Sequence, residues 1–129
     1  MDSDVLVVDD SAAIRKILQR VLRQTGMAIH TIHEAGDGEE AVSVLRSTRV
    51  QLVLTDINMP RMDGLQLLAA LKAAPEWRDI PVVMITTEGG ESKVAEAVKL
   101  GAAGYVRKPF TADQIKEKLT GLLEPALPL

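Results

Sequence analysis

The stretch LVLTD at residues 52–56 is a short apolar run that ends in an acid. A run of this length between polar segments is typical of a strand that is buried on both faces of a parallel sheet. A second run of the same kind, VLVV at residues 5–8, is followed by Asp9 and Asp10. Each run leads into a segment with helical periodicity, and this pairing predicts an α/β fold.

The same alternation continues on both sides of these two runs. Apolar runs at residues 29–35, 80–86 and 104–106 are each followed by a helix-like segment. In the first such segment, Ile14, Leu18 and Val21 repeat at helical spacing on one face. Five strand–helix units in strict alternation predict a doubly wound, five-stranded parallel sheet with five helices in a three-layer α/β/α arrangement. We expect a single domain over residues 1–129.

The composition excludes several classes of protein. The chain has no cysteine, which excludes a disulfide scaffold and a thiolate metal site and fits a reducing compartment. A net charge of −3 and only three aromatic residues offer neither a basic surface nor a stacking platform for nucleic acid. No stretch approaches the ~18 apolar residues of a membrane span. We therefore expect a cytoplasmic protein with no nucleic-acid partner and no membrane insertion.

Polar residues follow four of the predicted strands. Asp9 and Asp10 follow the first strand, Asp56 ends the third, Thr86 ends the fourth, and Lys108 comes after the fifth. Ligands of open parallel sheets bind at this edge, outside the carboxyl ends of the strands. Three carboxylates brought together repel one another, and a hard cation such as Mg²⁺ relieves that repulsion. Because an ammonium and a hydroxyl bind phosphate and a carboxylate can accept a phosphoryl group, the set predicts phosphoryl chemistry.

Four motifs make the chain similar to the receiver domains of two-component response regulators over essentially its whole length. They are VVDDS at residues 7–11, TDINMPRMDG at 55–64, MITTE at 84–88 and YVRKPF at 105–110. The resemblance implies the flavodoxin-like sheet with strand order 2-1-3-4-5 and a cis Lys108–Pro109 bond. Asn58 and Glu88 resemble the choice made in the stand-alone chemotaxis (CheY-like) type, in which signals decay quickly.

The resemblance also assigns metal and phosphoryl roles to the residues at the strand ends. Asp56 is the expected phosphoacceptor, taking a phosphoryl group from a histidine kinase. Mg²⁺, with Mn²⁺ as an alternative ion, would be bound directly by Asp10 and Asp56. Asp9 would act on the ion mainly through water, and Asn58 would offer its backbone carbonyl.

The remaining family roles concern binding and switching. Lys108 is expected to pair with the phosphoryl group, and Thr86 to donate its hydroxyl to it. Thr86 and Tyr105 form the expected switch pair, in which Tyr105 turns inward when Thr86 moves. Asn58 and Glu88 are the positions expected to tune the rate of dephosphorylation.

The function implied by the resemblance is a phosphorylation-activated signalling switch, not an enzyme beyond its own phosphotransfer and autodephosphorylation. We expect the fourth helix, fifth strand and fifth helix to form a basic readout face. The expected partners are a chemotaxis-type histidine kinase, a flagellar motor switch protein or another output partner, and a phosphatase. We expect the protein to be a monomer. The basic residues of the readout face are Lys93, Lys99, Arg107, Lys116 and Lys118.

Three alternative functions remain open at this point. A phosphatase with an aspartyl nucleophile would carry a second acid two residues later, where this chain has Asn58. A single-domain phosphorelay intermediate would share every motif of a chemotaxis receiver. The chain could also be the receiver fragment of a larger regulator with an output domain, in which case residues 125–129 would begin a linker.

Two further groups of polar residues are expected to have no site role. His30 and His33 lie on the weaker second strand with no carboxylate cluster beside them, which favours a structural role. The basic side of the first helix is expected to be a solvated face. Its residues are Arg15, Lys16, Arg20 and Arg23.

Overall fold

The computed structural model describes residues 3–87 and 91–123, in which five parallel strands form one sheet. The sheet order is β2-β1-β3-β4-β5, which confirms the predicted doubly wound fold. The strands are β1 Ser3–Val8, β2 Ile29–Ala35, β3 Leu52–Asp56, β4 Val82–Thr86 and β5 Gly104–Arg107. The helices are α1 Ala12–Gln24, α2 Gly38–Ser47, α3 Gly64–Ala73, α4 Glu91–Leu100 and α5 Ala112–Leu119. None of these helices has the length and apolar character needed to cross a membrane.

The sheet separates two hydrophobic cores, because successive side chains of a strand point to opposite faces. Val5 and Val7 pack in one core with residues of α1 and α5. Leu6 and Val8 pack in the other core with residues of α2, α3 and α4. All four side chains are fully buried. This burial on both faces explains why the strand sequences are continuous apolar runs and do not alternate with polar residues.

Side-chain caps define the start of four helices. Ser11 accepts a hydrogen bond from the backbone N–H of Ile14 at the start of α1, and Asp37 caps α2 in the same way. Thr111 and Gln114 form the predicted capping box of α5. Asp63 and Gln66 form a second complete capping box at α3, where the sequence pattern predicts only a turn. Each cap satisfies backbone donors that the first helical turn leaves without partners.

Two of the element boundaries that differ from the predicted ones do so for backbone reasons. The fourth strand begins at Val82 and not at residue 80, because Pro81 has no N–H to donate to the ladder. Its carbonyl still accepts a hydrogen bond from the Val53 N–H. The last helix ends at Leu119 because Gly121 takes a positive φ of 92°, which ends the helical path. Leu123 nevertheless stays buried in the core.

Candidate functional site

The candidate site lies at the carboxyl edge of the sheet, where β1 and β3 run side by side in parallel. Asp9 follows β1 directly, and Asp56 is the last residue of β3. Asp9, Asp10 and Asp56 each offer a carboxylate oxygen, and these three atoms lie within 4.8 Å of one another. Asp9 and Asp56 are buried and Asp10 is exposed. Within residues 3–87 and 91–123, this is the only such cluster of three possible ligands.

Two contacts fix the carboxylate of Asp56. Its Oδ1 accepts a hydrogen bond of 2.8 Å from the backbone N–H of Ile57, and its Oδ2 lies 3.4 Å from Lys108 Nζ. The start of α3 packs tightly against its backbone, since a Cβ placed on Gly64 would lie 2.2 Å from the Asp56 carbonyl oxygen. Glycine is therefore required at position 64 for α3 to approach the end of β3 this closely.

Three residues, at and near the start of α1 and after β5, hold Asp9. Its Oδ1 accepts from the Ser11 N–H at 2.9 Å, and its Oδ2 accepts from Lys108 Nζ at 2.9 Å. Arg15 of α1 donates to the backbone carbonyl of Asp9 at 2.6 Å and pairs with Glu34. The expectation that Arg15 belongs to a solvated face was therefore wrong. The side chain is long enough to reach back from α1 to the end of β1.

The charges at this edge shift the ionisation of Asp56 and Lys108. Burial raises the pKa of the Asp56 carboxyl above its usual value, and the neighbouring Asp9 adds to the rise while Lys108 opposes it. Burial by itself would lower the pKa of the Lys108 ammonium, but its contacts with Asp9 and Asp56 outweigh burial and raise it. The site thus holds one lysine between two buried carboxylates and carries an excess of negative charge.

The donor set fits a hard divalent cation. Three carboxylates supply anionic oxygen ligands, which are the ligands that Mg²⁺ prefers in proteins. Because Asp10 is exposed, this side of the cluster is open to water and to phosphate oxygens. Asn58, two residues beyond Asp56, is also exposed, and its backbone carbonyl is a candidate fourth oxygen.

Lys108 and Thr86 are brought together by the backbone at the ends of β4 and β5. The Lys108 N–H donates to the Thr86 carbonyl at 2.7 Å, and the Lys108–Pro109 bond is cis, as the resemblance implied. The Thr86 hydroxyl is buried and donates to the Thr87 carbonyl at 3.1 Å. Thr86 therefore stands beside the residue whose ammonium contacts Asp56.

Tyr105 and Glu88 complete the positions predicted from sequence. The Tyr105 side chain is 40% exposed, and Lys118 Nζ lies 5.5 Å from the centre of its ring. The ring therefore lies on the surface in this structure. Glu88 falls outside the described residues.

Two contacts beside the site and one group of contacts at the start of β1 were not predicted from the sequence. Arg61 pairs with the buried Asp37 and thereby ties the β3–α3 loop to the start of α2. Lys93 of α4 donates to the Asn58 side chain, although its sequence position indicated only a surface charge. His30 and His33 both contact Asp4, a single acid that the sequence did not predict beside them. Arg61 and Asp37 lie 24 positions apart in the sequence, and Lys93 and Asn58 lie 35 positions apart. No local sequence pattern therefore predicts either contact.

Comparison with known proteins agrees with this geometry. Residues 5–120 match the family described as response regulator receiver domain. The chain is 41% identical to a chemotaxis protein CheY homolog of Campylobacter jejuni over 92% of this chain and 91% of that protein. It is 40% identical to the chemotaxis protein CheY-3 of Vibrio cholerae, over 93% and 91% of the two chains.

Solved structures show the same similarity in three dimensions. The chemotaxis response regulator CheY4 of Vibrio cholerae superposes with a TM-score of 0.83 at 31% identity, covering 95% of this chain and all of that one. The receiver domain of NtrX from Brucella abortus gives a TM-score of 0.82 at 32% identity, covering 92% and 97% of the two chains. The sequence match, the sheet order and the site together show that this chain belongs to the response regulator receiver domain family.

Proposed function

We propose that this receiver is a phosphorylation-activated signalling switch in which Asp56 accepts a phosphoryl group from a histidine kinase. The observation that carries the proposal is the Asp56 carboxylate, which is buried at the sheet edge with Lys108 on one side and two further acids around it. A carboxylate can act as a phosphoryl acceptor. Lys108, together with a cation held by the three acids, would supply the positive charge that phosphoryl transfer requires.

The transfer step needs little from the protein beyond position and charge. A carboxylate oxygen of Asp56 forms a bond to phosphorus while the bond between phosphorus and the donor's imidazole nitrogen breaks, and the electron pair leaves with that nitrogen. The Ile57 N–H donates to Oδ1 of the carboxylate and holds the group in place. Lys108, which contacts both Asp56 and Asp9, lies where its ammonium can pair with a phosphoryl oxygen.

Asp10 and Asp56 would bind Mg²⁺ directly, with Asp9 acting through water and Asn58 offering its backbone carbonyl. The donor chemistry of the three-carboxylate cluster supports this assignment. When bound, the ion supplies positive charge to the phosphoryl oxygens. Mn²⁺ has the same preference for oxygen ligands and is the alternative ion.

Activation is proposed to pass from Thr86 to Tyr105. The Thr86 hydroxyl now donates to the Thr87 carbonyl, and a phosphoryl group on Asp56 offers it a charged acceptor instead. Movement of Thr86 would leave space for Tyr105, which is exposed in this structure. Moving the population from 1% to 99% active requires the phosphoryl group to favour the active state by about 5.5 kcal/mol.

The readout face is proposed to be α4, β5 and α5. Val98, Leu100 and Tyr105 are exposed apolar side chains on α4 and β5. The basic residues predicted for this face, from Lys93 on α4 to Lys118 on α5, are all exposed. Apolar residues bordered by positive charge fit a partner that presents an acidic amphipathic segment.

The proposed biological role is chemotaxis, with a chemotaxis-type kinase upstream, a flagellar motor switch protein as the output partner and a phosphatase that ends the signal. Asn58 and Glu88 are proposed to set a fast loss of the phosphoryl group, and the similarity to named chemotaxis proteins supports the role. Affinity capture with phosphorylated protein tests it. Capture of a motor switch protein is expected, whereas capture of a histidine phosphotransfer protein alone would instead indicate a relay.

Incubation with Mg²⁺ and a small acyl phosphate, followed by intact-mass measurement, tests the phosphoacceptor. One phosphoryl adduct is expected in the wild type and in the control variant Asp79→Asn, which changes an exposed acid outside the site. No adduct is expected in Asp56→Asn. A wild type without an adduct, or an Asp56→Asn variant with an undiminished one, would refute the assignment.

A further inference from the structure

A lysine of α4 reaches the loop that carries the candidate phosphoacceptor. Lys93 Nζ donates a hydrogen bond of 2.5 Å to the side-chain oxygen of Asn58, 35 positions away along the chain. Asn58 stands two residues after Asp56, and Lys93 lies in the helix that follows Thr86. The contact therefore bridges the two segments that leave the ends of the neighbouring strands β3 and β4.

The chemistry of the two groups fixes the orientation of the Asn58 amide. The oxygen and nitrogen of an amide side chain are often assigned from their hydrogen-bond partners. An ammonium has three donors and no acceptor. Lys93 can therefore contact only the oxygen of Asn58, and that oxygen is then occupied by a charged donor.

The occupied oxygen matters for the loss of the phosphoryl group, an argument that rests on the proposed function. Hydrolysis requires a water oxygen to bond to phosphorus while the bond between phosphorus and the Asp56 oxygen breaks. The electron pair returns to the carboxylate and the water proton passes to solvent. A free amide oxygen at position 58 would accept a hydrogen bond from that water and orient it toward phosphorus.

Lys93 competes with water for this acceptor. A charge-assisted hydrogen bond is stronger than a neutral one, so the ammonium holds the amide oxygen more firmly than a water does. This competition for the acceptor slows hydrolysis.

We propose that Lys93 is a positioning residue that holds Asn58 and lengthens the lifetime of the phosphoryl group on Asp56. This role is distinct from a contribution of Lys93 to the charge of the readout face. A lysine that only interacts with partner proteins would leave the decay of the isolated protein unchanged. The decay rate therefore separates the two roles.

The test measures decay of the phosphoryl adduct by intact mass after an acyl phosphate donor is removed in the presence of Mg²⁺. Lys93→Met is expected to decay about three- to tenfold faster than the wild type, the effect of losing one hydrogen bond. Lys93→Arg keeps the charged donor and should restore most of the lifetime. Lys16→Met changes an exposed lysine of α1 outside the site and the readout face, and it should decay like the wild type.

A double-mutant cycle assigns the effect to the bridge. In an Asn58→Ala background, Lys93→Met should cause no further change in decay. Wild-type decay in Lys93→Met, or an equal acceleration in the Asn58→Ala background, would overturn the inference and leave the phosphoacceptor assignment intact. Failure of the wild type to take up a phosphoryl group would overturn the proposed function and this inference together.

Discussion

The ionised carboxylate of Asp56 lowers the stability of the folded protein because of its surroundings. Burial and the neighbouring Asp9 raise the pKa of its carboxyl, although Lys108 opposes the shift. The ionised carboxylate is thus less favourable in the folded protein than in the unfolded chain. This destabilisation is absent at pH values well below 3.8, where the Asp56 carboxyl is protonated in the folded and in the unfolded protein. It develops as the pH rises through the pKa of the carboxyl in the unfolded chain and is complete above the higher pKa of the folded protein.

Asp56→Asn removes this charge and is expected to raise the free energy of unfolding at pH 7 in EDTA. Urea unfolding at several pH values measures the effect. The gain over the wild type should shrink as the pH falls below about 4, because the wild-type carboxyl is then neutral as well. The control Asp79→Asn should show no comparable gain, and an unstabilised Asp56→Asn at pH 7 would contradict the argument.

The absence of a side chain at Gly64 allows α3 to pack against the backbone of Asp56. Gly64→Ala would place a Cβ 2.2 Å from the Asp56 carbonyl oxygen, so α3 or the end of β3 must move. Overpacking of this kind costs about 1–3 kcal/mol. We expect a corresponding loss in the free energy of unfolding and slower phosphorylation by acyl phosphate. Gly104→Ala, where the nearest atom lies at 4.0 Å, is the matched control; equal behaviour of the two variants would refute the prediction.

At the scale of elements, the parts that could be predicted are those set by neighbouring residues. The run of residues 52–56 matches β3 because burial on both faces demands continuous apolar residues. The caps at Ser11 and Thr111 follow from local hydrogen bonds. The end of α5 was misplaced because Leu122 and Leu123 continue the apolar pattern, while the chain leaves the helix at Gly121.

The parts of the site that escaped prediction depend on long side chains that cross between elements. Asp9, Asp56 and Lys108 converge because the sheet topology places the ends of their strands together. The alternation of strand and helix segments in the sequence predicts this topology. The reach of Arg15 back to Asp9 and of Lys93 to Asn58 depends on rotamers and helix placement. A charged residue on a helix face has the same sequence signature whether it is solvated or tied to the site.

The start of α2 offers a test of one such crossing contact. Asp37 is 1% exposed, accepts a hydrogen bond from the Glu40 N–H and pairs with Arg61. Asp37→Ala removes both the cap and the pair and should lower the free energy of unfolding by about 1–2 kcal/mol. Asp37→Asn can still cap the helix, so it should lose less. Equal losses in the two variants, measured by urea unfolding, would show that the cap contributes nothing.

Asp37 also makes the free energy of unfolding depend on pH, in a direction that its pKa shift predicts. The hydrogen bond from Glu40 and the pairing with Arg61 lower the pKa of the Asp37 carboxyl below 3.8. Its stabilising contribution is therefore complete above that value and is lost as the pH falls through the folded pKa. The difference in stability between the wild type and Asp37→Asn should narrow below about pH 4. A constant difference would contradict the ionised Asp37 carboxylate as its source.

For the whole molecule, the excess of acidic over basic residues can be assigned to one site. The formal net charge of −3 equals the charge of the three acids gathered at the sheet edge. Lys108 offsets only part of that charge. The fold therefore brings together a repulsive cluster that the unfolded chain keeps apart, and a bound cation would relieve it.

Mg²⁺ is accordingly expected to stabilise the folded protein, because the three acids converge only there. At ten times its Kd the ion should add about 1.4 kcal/mol to the free energy of unfolding, by linkage of binding to folding. Urea unfolding in Mg²⁺ and in EDTA measures this difference. Asp10→Asn should lose most of the Mg²⁺ effect while remaining folded, since Asp10 is exposed, whereas Asp79→Asn should retain it. A wild type with the same stability in Mg²⁺ and EDTA would show that the cluster does not bind the ion, and an undiminished effect in Asp10→Asn would exclude that residue as a ligand.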